Sequence, residues 1–228
     1  MHGKKKILEL GSGITTDKEF WWLVGFLQGD GGLERKDGIR LISTDPEILL
    51  SAEKIVKRLF GLQSSSYVEQ RRFPQRQKPK RVLAVYSRNL VDWLDGIGLS
   101  FGEEKWNVPR LTPKLFYSYL AGLFDAEGQV ILYPSGRLNK FVIHSANGPS
   151  LRVVSNKMRE FGIECVLFRR ERPNKPNPHY QLEIRKRRNL ELFVRSVGRH
   201  CRLQRKKRFM TEELLPRPIT TGKLSVHR

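Results

Sequence analysis

Leu23-Val24-Gly25-Phe26-Leu27-Gln28-Gly29-Asp30-Gly31 and, a domain's length later, Leu120-Ala121-Gly122-Leu123-Phe124-Asp125-Ala126-Glu127-Gly128 are two versions of one pattern. Both are largely apolar, set small residues four apart (Gly25 and Gly29; Gly122 and Ala126), and end on an acid followed by glycine. Residues four apart share one helix face, and a face without side chains lets two helices meet backbone to backbone. The two stretches are therefore read as helices packed against each other at the centre of the molecule. Phe26 and Leu27, and Leu123 and Phe124, then turn into each copy's own core. Gly31 and Gly128 read as helix-ending positions with positive φ.

Two further landmarks repeat in the same order. Phe60-Gly61-Leu62 recurs as Phe161-Gly162-Ile163, and the RNL run from Arg88 recurs from Arg188. A duplicated unit shows which residues do one job twice, and each half reads alike: a helix ending in an acid, two strands, an amphipathic helix, two strands, a helix. In the first half these fall at 16–30, 31–45, 46–60, 65–86 and 88–97. The run from Tyr180 to Arg185 alternates strictly, with Leu182 and Ile184 on one face and Gln181, Glu183 and Arg185 on the other, as in a sheet buried on one side. The strand-joining turns Arg71–Arg81 and Arg169–Pro178 are rich in proline and cations and read as basic fingers. Phe101–Pro113 reads as a linker, with Thr112 and Pro113 opening the next helix as cap and first residue. The chain is accordingly divided into residues 1–110 and 111–228, with a loose tail after Pro216.

Composition narrows the partner. In 228 residues, Lys and Arg number 43 against 23 Asp and Glu, a net charge of +20, with 39% hydrophobic residues. That hydrophobic content excludes disorder as the default. So large and dispersed a positive charge repels itself unless a polyanion neutralises it, and nucleic acid gains salt-dependent affinity by doing so. Cys165 and Cys201 lack the spacing of a zinc site and read as buried free thiols of a reducing, intracellular compartment. No stretch is apolar enough to span a membrane. Arginine and proline content favours a prokaryotic cytoplasm over an organelle.

Packing the two helices side by side brings Asp30 and Glu127 to the same end of the pair. Each acid sits where the helix dipole disfavours an anion, and each repels the other. A divalent cation reverses both penalties. Two carboxylates with open positions suit Mg²⁺, which keeps waters and accepts phosphate oxygens, so phosphodiester hydrolysis is the natural chemistry.

The two nine-residue stretches resemble the paired LAGLIDADG motifs of homing endonucleases, and the resemblance extends over nearly the whole chain in repeat length and element order. It implies an α+β fold of two tandem αββαββα repeats, with the motif helices at the interface and two antiparallel sheets forming a saddle over double-stranded DNA. It implies a site-specific endonuclease that cuts both strands of a long target with Mg²⁺, for which Mn²⁺ or Ca²⁺ can stand in. The metal-binding acids it implies are Asp30 and Glu127, joined by the carbonyls of Gly29 and Ala126. Basic residues near the scissile phosphates are assigned to Lys105 and Lys206, Arg205 being the residue at the same distance from its landmark as Lys105. Where the family often has a glutamine at the end of the second strand, this chain offers Thr44 and Ser145 or Asn147. The DNA-contacting candidates are Arg35, Tyr67, Glu69, Arg71, Arg76, Lys80 and Arg81 in the first half. In the second half they are Arg137, Lys140, Arg169, Arg170, Lys175, Gln181, Glu183 and Arg185. His144 is read as a strand residue that packs or faces solvent.

Because the chain already holds both interface helices, a monomer is expected. The start shows no splicing nucleophile and the end no His-Asn pair, which points to a free-standing, intron-encoded enzyme. Two other classes share the fold: a maturase that assists RNA splicing, with RNA as partner, and a DNA-binding protein without catalysis.

Overall fold

The structure is a computed structural model and describes residues 13–34, 37–69, 79–102, 106–171 and 178–215. Its first half runs α1 (Lys18–Asp30), β1 (Gly31–Glu34), β2 (Gly38–Ser43), α2 (Pro46–Phe60), β3 (Ser65–Val68), β4 (Arg81–Tyr86) and α3 (Arg88–Gly96). The second half repeats the order as α4 (Pro113–Glu127), β5 (Gly128–Leu132), β6 (Leu138–Ser145), α5 (Gly148–Glu160), β7 (Val166–Arg170), β8 (His179–Ile184) and α6 (Arg187–Ser196). A short helix α7 (Gln204–Lys207) follows. The two four-stranded antiparallel sheets have the same order, β1-β2-β4-β3 and β5-β6-β8-β7.

Local chemistry sets the boundaries. Asp17 caps α1 by accepting from the Glu19 N–H at 2.6 Å, and Thr112 precedes Pro113 at the start of α4, though its hydroxyl makes no capping bond. The repeated Phe-Gly landmark marks the turn after each amphipathic helix: Gly61 and Gly162 have φ of 62° and 86°, a region where a Cβ is disfavoured. Gly31 and Gly128 differ from expectation. Their φ values are −136° and −81°, extended backbone that opens β1 and β5. Space, rather than a positive φ, excludes a side chain there. A Cβ on Gly31 would lie 2.6 Å from the Leu27 carbonyl oxygen, and one on Gly128 would lie 2.3 Å from that of Phe124.

Each sheet buries one face. Ile39, Leu41, Leu83 and Val85 of the first, and Phe141, Ile143, Leu182 and Ile184 of the second, join a continuous hydrophobic core that spans both halves. Cross-strand partners confirm the alternation read from Tyr180 to Arg185: Ile143 faces Leu182, and Phe141 faces Ile184. The outward face of the second sheet therefore carries Gln129, Lys140, Val142, His144, Gln181 and Glu183.

Helices α1 and α4 pack more extensively than any other described pair of elements. The contact is backbone on backbone: a Cβ on Gly25 would lie 2.0 Å from the Tyr119 carbonyl oxygen, and one on Gly122 would lie 1.9 Å from that of Trp22. The pair is also tied by reciprocal hydrogen bonds. Trp22 Nε1 donates to Asp125 Oδ2 at 2.9 Å, and the equivalent Tyr119 hydroxyl donates to Gln28 Oε1 at 2.9 Å. Gln28 and Asp125, the sixth residues of the two motifs, also fasten the irregular segments that follow. Gln28 Nε2 donates to the carbonyls of Ser100 and Asn107, and Asp125 accepts the backbone N–H groups of Arg202 and Leu203. Within the described part of the linker, Trp106 is buried and its carbonyl accepts from Asn147 at 2.8 Å.

Candidate functional site

The backbone contact of α1 and α4 places their last turns side by side. A Cβ on Gly29 would lie 2.4 Å from Ala126 Cβ and 3.2 Å from Glu127 Cγ. Asp30 and Glu127 line one open cavity of about 760 Å³ with Gly29, Arg40, Thr44, Lys80 and Arg205. Burial raises the pKa of the Asp30 carboxyl, and the nearby cations Lys206, Lys80 and Arg205 only partly counter this. An anion so placed costs free energy that a further bound cation would recover. Among the described residues no cluster of three or more His, Cys, Asp or Glu side chains could hold a metal. Two carboxylates with backbone carbonyls suit Mg²⁺, which retains waters and takes phosphate oxygens, better than an ion needing a full protein cage.

Lys206, expected beside the scissile phosphate, lies near Asp30 with its ammonium engaged by the end of α4. It is buried, and its ammonium donates to the carbonyls of Phe124 at 2.8 Å, Asp125 at 2.7 Å and Ala126 at 3.3 Å. The last carbonyls of a helix have no intrahelical donor and carry partial negative charge, so Lys206 serves as a covalently attached cation for the end of α4. Burial pushes its pKa down to about 8, with Asp125 and Asp30 opposing the shift. The Ala126 carbonyl, expected as a metal ligand, is therefore already shared with Lys206. Lys206→Met should lower stability by about 3 kcal/mol, because it strips three carbonyls of their donor and leaves buried Asp125 less compensated. Urea unfolding would show it, and an unchanged midpoint would refute the capping role.

The cations that do line the cavity are Lys80, expected only as a DNA contact, Arg40, which the sequence reading did not single out, and Arg205, whose Nε donates to Asp45 at 2.8 Å. Thr44 faces the cavity too, whereas Ser145 and Asn147 are committed elsewhere. The Ser145 hydroxyl accepts the Asn147 N–H, and Asn147 caps α5 by accepting the Ser150 N–H.

The remaining candidates fall mainly on or beside the outward sheet faces. Tyr67 is exposed opposite Val82. The Glu69 N–H donates to the Lys80 carbonyl at 2.9 Å, and Arg81 opens β4 on an exposed position. Arg137 lies in the β5–β6 turn, its carbonyl accepting from Tyr133, and Arg169 and Arg170 end β7 exposed. Lys140 and Gln181 point outward on β6 and β8. Glu183 departs from expectation: its carboxylate is buried beneath Lys140 and Arg185 and offers DNA nothing directly. His144 has a partner the sequence did not reveal, His179, whose ring stacks on it at 5.0 Å, with Gln129 beside them. Arg35, Arg71, Arg76, Lys105 and Lys175 lie outside the described residues. Cys165 and Cys201 are buried and free, and burial raises both thiol pKa values.

Two sheets of identical order flanking a central helix pair, with an acid ending each of the two helices, make an α+β fold of two αββαββα repeats like that of I-DmoI. Residues 117–198 match the family model of the LAGLIDADG-like domain. In sequence, the chain is 26% identical over 192 residues to a glutamine–fructose-6-phosphate aminotransferase of Methanocaldococcus jannaschii, an alignment covering 81% of this chain and 16% of that one. It is 26% identical over 160 residues to an uncharacterised protein of the same organism, covering 68% of this chain and 59% of that protein. The chain thus spans less than two thirds of these relatives. In structure it is similar to full-length DUF199/WhiA from Thermatoga maritima, with a TM-score of 0.56 and 16% identity, covering 89% of this chain and 62% of that one. It is also similar to I-DmoI in complex with DNA and Mn, with a TM-score of 0.54 and 18% identity, covering 79% of this chain and 96% of that one. At these identities the structural likeness concerns the fold.

Proposed function

We propose that this chain is a site-specific endonuclease that cuts both strands of a long double-stranded DNA target with Mg²⁺. The observation that carries this reading is the meeting of two helix-terminal carboxylates, Asp30 and Glu127, in one cleft beside the outward sheet faces. Asp30, Glu127 and the Gly29 carbonyl would hold the ion, with Mn²⁺ or Ca²⁺ as substitutes. When bound, the ion supplies neutralisation of the phosphoryl oxygens and activation of the attacking water. Lys80 and Arg205 flank the phosphate and offset charge that develops on it. The pseudo-twofold helix pair gives each DNA strand one acid. The intronless locus of the chain's own gene, carried on a plasmid, should be linearised in Mg²⁺ and left intact in EDTA.

One observation favours a second reading, a DNA-binding protein without catalysis: Lys206 already compensates the end of α4 without any metal. Under that reading, binding to the locus persists in EDTA and no Mg²⁺ concentration yields cleavage.

Both readings predict a monomer, checked by light scattering, and an affinity set by many phosphate contacts. If six or more phosphates are neutralised, affinity should fall by about a thousandfold between 50 and 200 mM salt. A slope corresponding to only one or two released ions would contradict a saddle that holds a long site.

A further inference from the structure

The outward face of the second sheet holds a charged array whose centre is a carboxylate covered by its own ion-pair partners. Glu183 is only 2% exposed although it lies on the polar side of β8. Its Oε1 accepts from Lys140 Nζ at 2.8 Å. Its Oε2 accepts from Arg185 Nε at 2.6 Å and also from Arg185 Nη2. Burial raises the Glu183 pKa, but the bonds from Lys140 and Arg185 more than offset this and hold the carboxylate ionised. The Arg185 guanidinium also lies 5.6 Å from the centre of the Phe168 ring, and Arg170 lies 5.1 Å from the same ring. Arg170 Nε is 3.4 Å from Gln181 Oε1. A long, flexible side chain is thus held along one edge by a covered carboxylate, with an aromatic ring beside its guanidinium.

Because Glu183 takes the Nε–Nη2 edge, the Nη1–Nη2 end of the half-exposed Arg185 side chain is left for another acceptor. That end is the two-donor fork that matches O6 and N7 of guanine in the major groove, whereas a mobile cation serves a phosphate equally well. We propose, resting on the DNA-binding reading, that Arg185 is a guanine reader of the second half-site, and that Glu183 and Phe168 are positioning residues that fix its guanidinium for that base. Lys140, held by the same carboxylate, sits beside the read base and contributes charge. On the first sheet the outward face mixes Ala84, Val82 and Ile42 with Glu34, Arg40, Ser65, Tyr67 and Tyr86.

The test is selection of wild-type and variant protein, at one fixed salt concentration, on a pool of double-stranded oligonucleotides with a randomised central segment. The wild-type pool should show a guanine column in one half-site that Arg185→Ala erases. Glu183→Gln and Phe168→Leu should each weaken that guanine preference by about tenfold, while total affinity for the pool stays within about twofold because phosphate contacts dominate it. Thermal melting followed by circular dichroism reports whether each variant is folded. If Glu183→Gln does not fold, Phe168→Leu, a change at a half-buried outward position, decides. A guanine column that is unchanged in the folded positioning variants, or no column that depends on Arg185, overturns the proposal while the DNA-binding reading survives. A wild-type protein that enriches no DNA overturns both.

Discussion

Asp30→Asn and Glu127→Gln should each reduce double-strand cleavage by about a thousandfold or more while leaving DNA affinity within a few-fold of wild type. Each amide keeps the size and shape of the acid but removes the charge, and with it the ligand and the electrostatic reason for a divalent ion to settle at the helix ends. Losing a single group that stabilises a transition state costs about a hundred- to a thousandfold in catalysis, and here the ion is lost as well. Binding rests on the sheets and their cations, and removing a negative charge beside phosphates favours it. Linearisation of a target plasmid in Mg²⁺ and a mobility-shift titration in EDTA separate the two effects. Near wild-type cutting by either variant would eliminate the proposed site.

The same substitution at Asp30 has an opposite expected effect on stability. Burial raises the carboxyl above its ordinary value of 3.8, so the folded state binds this proton more tightly than the unfolded state does. Below pH 3.8 the group is protonated in both states and costs nothing. As pH rises from 3.8 through the raised folded value, stability is lost, and above that value the full cost of the buried anion remains. Without divalent ions, Asp30→Asn should therefore melt higher than wild type at pH 7, and the difference should vanish toward pH 3. A site that gives up stability for a ligand is a common trade. Equal melting temperatures at pH 7 would show that Lys206, Lys80 and Arg205 fully offset the desolvation of Asp30.

The helix pair, the repeat and the sheet faces were legible because each depends on spacing: small residues four apart, landmarks in constant order, alternation along Tyr180 to Arg185. What escaped the sequence was pairing between distant side chains. Glu183 reads as one more polar residue on an exposed face, and only the register that sets β6 against β8 brings Lys140 over it. Lys206 was sought as a scissile-phosphate cation, yet its place in α7 brings its ammonium to the carbonyls that end α4. One signal was available and passed over. Gln28 and Asp125 are the polar residues at the sixth position of otherwise apolar helices, and a buried polar group in such a place needs partners. Those partners are the reciprocal Trp22 and Tyr119 bonds and the fastened segments after α3 and α6.

Gly25→Val and Gly122→Val should each cost more than about 3 kcal/mol and bring the chain to or beyond the edge of unfolding. Overpacking a well-packed core costs about 1–3 kcal/mol when neighbouring side chains can move aside. Here the obstacle is backbone: the Tyr119 carbonyl oxygen at 2.0 Å from a Cβ on Gly25, and the Trp22 carbonyl oxygen at 1.9 Å from one on Gly122. Neither can retreat without separating α1 from α4. Separation stretches the Trp22–Asp125 and Tyr119–Gln28 hydrogen bonds and moves Asp30 away from Glu127. Gly29 gives a graded control, since a Cβ there meets the Ala126 side chain at 2.4 Å rather than a carbonyl. Gly29→Ala should cost less stability than Gly25→Ala and yet impair cleavage, because it pushes the two acid-bearing turns apart directly. Urea unfolding of the four variants, paired with plasmid cleavage, tests the ordering. Gly25→Val and Gly122→Val proteins as stable as wild type would mean that the two helices do not touch backbone to backbone.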